Sequence, residues 1–212
     1  MNRTVFLIDG FNLYHSVKEA NRDLRGAGTK WLDIASLCKS YLHLIGNNAQ
    51  VTGIHYFSAL ARHLEASNPD VTKRHQAFIR CLEATGVTCQ LNRFKSKSIN
   101  CPYCLKAFLR HEEKETDVAM SIKLIELFHK DECDTIVLVT GDTDIAPAVR
   151  TSLVLFPGKG IWFAFPYKRM NNELDKLVKR SIKISRDHYA RYQLPDPFQL
   201  PDGTRIFKPS RW

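Results

Sequence analysis

The sequence lacks any long hydrophobic run. No apolar stretch approaches the roughly 20 residues that a membrane-spanning helix needs, so a membrane protein is not expected. The first apolar stretch, Val5 to Ile8, is cut short by Asp9, which is unlike the longer apolar centre of a secretory signal. The cytoplasm is therefore the expected location. No internal repeat is visible, so a repeat architecture is not expected either. Acid is the minority charge: 22 Asp and Glu stand against 31 Lys and Arg, a formal net charge of +9. That excess suits a polyanionic partner, of which nucleic acid is the commonest, although solubility alone would also account for it. The His residues are scattered, and none falls with Ser or Cys in the pattern of a catalytic triad. His75 and His129, in helical stretches, read as residues at the edge of the core. Of the six Cys, Cys38, Cys81 and Cys133 lie in helical or helix-end patterns, which suits buried free thiols in a reducing compartment.

What remains is a chain of 212 residues with 44% hydrophobic and 25% charged residues, enough for one α/β domain with a real core. Thr4 to Ile8, Val51 to Leu60, Val87 to Phe94, Thr135 to Thr140, the run GIWFAFP and Ser181 to Ile184 read as short strands. Helical patterns lie between them: Asn12 to Ala20, the stretch WLDIASLCKSYLHLIG, the capped SNPDVTKRHQAFIRCLEATG, Thr116 to Lys130, about Asp144 to Leu153, and Asn171 to Val178. Residues 95–114 read as basic and irregular. From Tyr192 onward the chain is Pro-rich without periodicity and reads as a tail, with two Phe and Trp212 as means of docking. Strands alternating with helices predict a three-layer α/β/α fold, helices on both faces of a mostly parallel sheet. In such sheets ligands bind beyond the C-terminal strand ends, where the strand order reverses.

That rule gives meaning to an oddity. Two apolar strands end in acid: TVFLI runs into Asp9, and VLVTG runs into Asp142 and Asp144. If the strands are parallel neighbours, the carboxylates meet on one edge. Asp117, in the first turn of its helix, joins them if that helix starts from the same edge. Each Asp alone is well explained as a turn or N-cap residue. Together, four close carboxylates repel, and a divalent cation relieves the repulsion. All-oxygen ligands favour Mg²⁺ or Mn²⁺ over Zn²⁺. Such a site suits phosphodiester hydrolysis, one ion polarising the phosphate and activating water while a second, ~3.5–4 Å away, steadies the leaving oxygen.

The segments FLIDGFNLYHS, EKETDVAMSIKLI and VLVTGDTDIAPAV, in this order and spacing, resemble the NYN domain, a branch of the PIN-like nuclease superfamily. The resemblance covers about residues 3–185. It implies an NYN nuclease domain over residues 1–190, with a two-cysteine insertion at about 95–114 and a tail over 191–212. It further implies an Mg²⁺- or Mn²⁺-dependent ribonuclease or, as in some members, a nuclease fold kept for RNA binding. Asp9, Asp117, Asp142 and Asp144 would form the metal site. Asn12 would support the metal or the scissile phosphate, Thr140 and Thr143 would orient carboxylates, and Glu115 would be a fifth acid. The order of acids does not fit haloacid-dehalogenase-like phosphatases, since no acid stands two positions after Asp9. A receiver domain would want adjacent early acids, and only one is present.

The insertion carries CPYC. A redox role is set aside, because the motif lies mid-chain in a basic loop rather than early in a small thioredoxin-like fold. Structural Zn²⁺ on Cys101 and Cys104 would need two more ligands, with Cys89 and His111 the nearest; the alternative is a hairpin with two free thiols, and a site shared across a homodimer is a further option. Two basic stretches would hold RNA, or DNA as the alternative: Arg93, Lys95, Lys97, Lys106 and Arg110 with interleaved aromatics, and the region containing Lys168 and Arg169. The second stretch reads equally well as a solvated helix face.

Overall fold

The computed structural model describes residues 1–26 and 28–210. The chain runs β1 (Asn2–Asp9), α1 (Gly10–Asp23), α2 (Ile34–Ser40), α3 (Leu42–Ile45), β2 (Ala49–Ala59), α4 (Val71–Ala84), β3 (Thr88–Asn100), β4 (Ala107–Lys114) and α5 (Thr116–His129). It continues with β5 (Thr135–Val139), α6 (Ala146–Leu155), β6 (Gly160–Phe165), α7 (Asn172–Leu177), β7 (Ser181–Lys183), α8 (Arg186–Arg191), β8 (Phe198–Gln199) and β9 (Arg205–Ile206). Seven strands form one sheet in the order β4-β3-β2-β1-β5-β6-β7, parallel except for β4. The expected three-layer α/β/α architecture is present.

The layers follow from strand alternation. On β1, Phe6 and Ile8 join a core with Leu13 and Val17 of α1, Leu37 of α2, Leu82 of α4 and Tyr189 of α8. Val5 and Leu7 face the other way, against Met120 and Leu124 of α5, Val149 of α6 and Leu174 of α7. Both faces are covered, so β1 over Val5 to Ile8 and β5 after Thr135 are unbroken apolar runs. No helix among the described residues is long and apolar enough to cross a membrane.

Three expectations change. The single helix read over WLDIASLCKSYLHLIG is two short helices, α2 and α3, separated at Tyr41, whose N–H bonds back to Cys38 and Lys39. Residues 95–114 are not irregular. β3 runs on to Asn100 and returns as β4 in an antiparallel hairpin whose last rung is Asn100 with Ala107. The hairpin is largely exposed on both faces, and its apolar residues, Phe94, Ile99, Phe108 and Leu109 among them, do not alternate with polar ones as in a half-buried strand.

The Pro-rich segment is also built in. Leu194, Phe198, Leu200 and Ile206 are buried in the core beside α1 and α2, and the Trp31 indole N–H donates to the Pro195 carbonyl at 3.2 Å. Trp212 lies outside the described residues. Phe198→Ala is expected to destabilise by about 3 kcal/mol, as for a large buried side chain. A substitution on an unattached tail would stay within about 0.5 kcal/mol. Urea denaturation midpoints separate the two.

Candidate active site

β1 and β5 are adjacent, and the chain leaves them in opposite directions across the sheet, toward β2 and toward β6. This is the point of strand-order reversal where a parallel sheet opens a crevice at its C-terminal edge. Asp9 is the last residue of β1, and Gly141, Asp142, Thr143 and Asp144 follow β5 directly. The hairpin brings Asp117 to the same edge. Ala59, the end of β2, pairs with Asn92, and the next β3 residue, Arg93, pairs with Lys114, the end of β4. β4 therefore returns the chain to the rim, and α5 starts there.

The capping roles and the shared edge coexist. Asp9 caps α1, accepting from the Asn12 N–H through Oδ1 at 2.9 Å, while its Oδ2 accepts from the Thr140 hydroxyl at 2.9 Å. The Thr140 Oγ1 in turn accepts from the Asp142 N–H at 3.1 Å. Asp142 caps a 3-10 turn over Thr143–Ile145, accepting from the Asp144 N–H at 3.1 Å. The Asn12 Oδ1 accepts from the Gly141 N–H at 3.2 Å, tying α1 to the loop after β5. Thr140 thus ties the Asp9 carboxylate to the backbone of Asp142. Thr143 sits in the turn itself, lining the cleft beside Asp142, without a side-chain bond to an acid among the described residues.

The acids sense one another. Asp117 is pushed up to about 6, first by burial and then by the charges of Asp9, Asp142 and Asp144. Burial also raises Asp9, against the bonds from Asn12 and Thr140 that favour its charged form. Among the described residues no group of three or more His, Cys, Asp or Glu side chains stands where it could hold one metal ion. The carboxylates are electrostatically coupled around an open crevice and do not form a cage.

The fifth acid at this edge is Glu113, not Glu115. Glu115 has a positive φ of 79° and turns to solvent, where it pairs with Arg93, whose Nε donates at 2.7 Å. Glu113 is half-buried, accepts from the Thr116 hydroxyl at 2.6 Å, and is raised by burial and by Asp9 and Asp117. Strand alternation carries the signal. Glu112 and Lys114 share the outer face of β4, so Glu113 faces inward. The left-handed backbone at Glu115 breaks that alternation just where spacing to Asp117 made it attractive.

Two glycines let the elements close. A Cβ on Gly10 would lie 2.6 Å from the Phe57 carbonyl oxygen, and one on Gly141 would lie 2.0 Å from the Arg169 carbonyl oxygen. Gly141→Ala is expected to destabilise by about 3 kcal/mol, because backbone must move to make room. Thermal denaturation checks it.

Lys168 and Arg169 border the acids in a cleft of about 320 Å³ lined also by Asn12, Asp142 and Asn171. Both cations are already paired, Lys168 with Asp23 at 2.5 Å and Arg169 with Glu19 at 2.9 Å. Asn171, which sequence reading passed over as a helix start, caps α7 and donates from Nδ2 to the Gly141 carbonyl at 3.4 Å. A larger cleft of about 530 Å³ lies where β3 leaves the sheet, lined by Arg62, His63, Arg93, Phe94 and His111. In it the His63 and His111 rings stack at 4.2 Å. Lys95, Lys97, Lys106 and Arg110 lie along the hairpin, apart from the acids, with their side chains in solvent.

The hairpin register rules out zinc on the four expected ligands. Cys89 lies twelve residues before Cys101 on one extended strand, about 40 Å away. His111 pairs with Ser96, about 16 Å along the strand from Cys101. Neither side chain reaches the Cys101–Cys104 turn.

The model of the NYN domain matches residues 3–154. The sequence is 27% identical, over 99% of this chain and 75% of the relative, to 6-hydroxy-3-succinoylpyridine 3-monooxygenase of Pseudomonas putida. A crystal structure of a protein of unknown function from Vibrio parahaemolyticus superposes with a TM-score of 0.56 at 17% identity, covering 87% of this chain and 93% of that one. That likeness concerns the fold.

Proposed function

Because this chain belongs to the NYN domain family, whose fold is that of PIN-like nucleases, we propose that it is an Mg²⁺- or Mn²⁺-dependent endoribonuclease. The observation that carries this reading is the mutual repulsion of acids from three chain segments at the switch point of the sheet, felt most by Asp117. The donor set fits a hard divalent cation. It is all oxygen, it is open, and Mg²⁺ commonly takes only one or two protein carboxylates directly and keeps water for the rest. One or two of Asp9, Asp117, Asp142 and Asp144 would hold the ion directly, and the others would act through its bound water.

When bound, the ion would polarise the scissile phosphate and lower the pKa of an attacking water. The chain's own residues do the rest. Thr140 and Asn12 fix Asp9 in place. Asn12, which lines the cleft, would bind a phosphate oxygen. Glu113, whose ionisation burial opposes, stands beside the acids. Lys168 and Arg169 would exchange their carboxylate partners for backbone phosphates. The stacked His63 and His111 rings with Phe94 offer aromatic faces to unpaired bases, which favours a single-stranded substrate.

The test uses matched single-stranded RNA and DNA oligonucleotides with Mn²⁺, with and without EDTA. Metal-dependent cleavage of RNA is expected. Preference for DNA would reassign the substrate, and tight RNA binding without cleavage of either would make the protein a binding module. A second reading rests on the Pseudomonas relative, which matches nearly the whole chain: hydroxylation of a small pyridine. Turnover of the substrate named for that relative, in the presence of dioxygen and a reductant, would favour it over nuclease activity.

A further inference from the structure

We propose that the Cys101–Cys104 turn is half of a zinc site, completed by the same two cysteines of a second copy of this chain. The inference does not rest on the nuclease reading. It starts from a turn that is already shaped. The Cys101 N–H donates to the Lys106 carbonyl and the Leu105 N–H to the Cys101 carbonyl, each at 2.9 Å, and Leu105 closes the loop at a φ of 56°. Pro102 holds its own φ near the value the turn needs. Both thiols are free. The backbone N–H groups of Cys104 and Tyr103 turn onto the Cys101 sulfur, the arrangement that donates to a metal-bound thiolate.

The spacing of two residues between the cysteines is that of paired zinc ligands, and a structural zinc site is closed by four. This chain offers two. The hairpin register keeps Cys89 and His111 away, and no third His, Cys, Asp or Glu joins the pair among the described residues. A two-fold axis through the turn supplies the missing pair from identical atoms, with no further surface to evolve.

The hairpin also permits it sterically. From Arg93 to Asn100 it rises about 25 Å beyond the rim of the sheet, so two tips meet without the bodies colliding. Tyr103 and Leu105, 95% and 78% exposed at the tip, would be covered by the second copy. Four thiolates and one dication leave an anionic centre. Lys106 of each copy, whose carbonyl accepts from the Cys101 N–H, stands beside the turn to offset it.

The test takes the full chain purified without chelator. Elemental analysis is expected to give about one zinc per two chains, and light scattering during gel filtration a mass twice that of the chain. EDTA, or the double variant Cys101→Ser with Cys104→Ser, is expected to return the monomer without changing the far-ultraviolet circular dichroism. Cobalt substitution is expected to give the absorption of a tetrahedral four-thiolate centre. A monomer at all zinc concentrations, a full zinc per monomer, iron in place of zinc, or a dimer that survives the double substitution would each overturn the proposal.

Discussion

Asp142→Asn is expected to lower Mn²⁺-dependent RNA cleavage by at least about 10³-fold, the scale seen when one charge-stabilising group is removed from a reacting centre. The fold should survive. Asp142 is exposed, and the asparagine Oδ1 can still accept from the Asp144 N–H that caps the turn. The change therefore subtracts a charge and little else. RNA affinity should hold or tighten by up to about threefold, because a negative group leaves a surface that must meet phosphate. Single-turnover cleavage of a labelled oligonucleotide, with fluorescence anisotropy for binding, reads the two separately. Glu115→Gln is the internal control. Glu115 faces solvent and pairs with Arg93, so its loss should move cleavage by less than about threefold. If Asp142→Asn keeps a tenth or more of the activity, the acid edge is not where the phosphate is cut.

The contrast between Asp142 and Glu115 shows what the sequence makes visible. Strands buried on both faces announce themselves as unbroken apolar runs, and two such runs that both end in acid point to one shared edge even though each acid also caps the element after it. Asp9 and Asp142 were therefore legible, and so was the edge they share. Asp117 was legible only as a helix-start acid. Its arrival at the rim depends on the hairpin returning the chain there, and the hairpin is mostly exposed and shows no apolar alternation. Glu113 was missed for the same reason, since its inward orientation follows from pairing with Phe94 across a strand that the composition hides. The C-terminal segment failed differently. Its apolar residues are spaced by prolines and turns, so no period appears, although Phe198 and Ile206 pair as one small antiparallel rung and pack into the core. Contacts that depend on chain segments far apart leave no local pattern.

Asp117→Asn is expected to abolish cleavage and to stabilise the metal-free protein at the same time. The folded-state pKa of about 6 lies above the ordinary 3.8, because burial and three neighbouring carboxylates oppose ionisation. The sign follows from linkage. A carboxyl that binds its proton more tightly when folded makes the fold more stable as pH falls from above 6 toward 4, and less stable as pH rises through that range. The group is half-exposed, so solvent screening reduces the effect to about 1–2 kcal/mol. In EDTA at pH 8 the variant should therefore melt about 3–6 °C higher than the parent. At pH 4.5 the difference should shrink to about a third, and it should vanish only below about pH 3.8, where the carboxyl carries its proton folded and unfolded alike. Asp134 and Glu126, held low by Arg3 and by Lys123 with Lys130, weaken the fold only at lower pH, so they do not blur the window. Added Mn²⁺ should raise the melting temperature of the parent at pH 8 by binding the native state, and that of the variant far less. Cleavage by the variant should fall by about 10³-fold or more. A variant that melts lower than the parent in EDTA would mean that Asp117 does not share a repulsive pocket with the other acids. One that melts higher yet still cuts RNA would separate the pocket from the reaction.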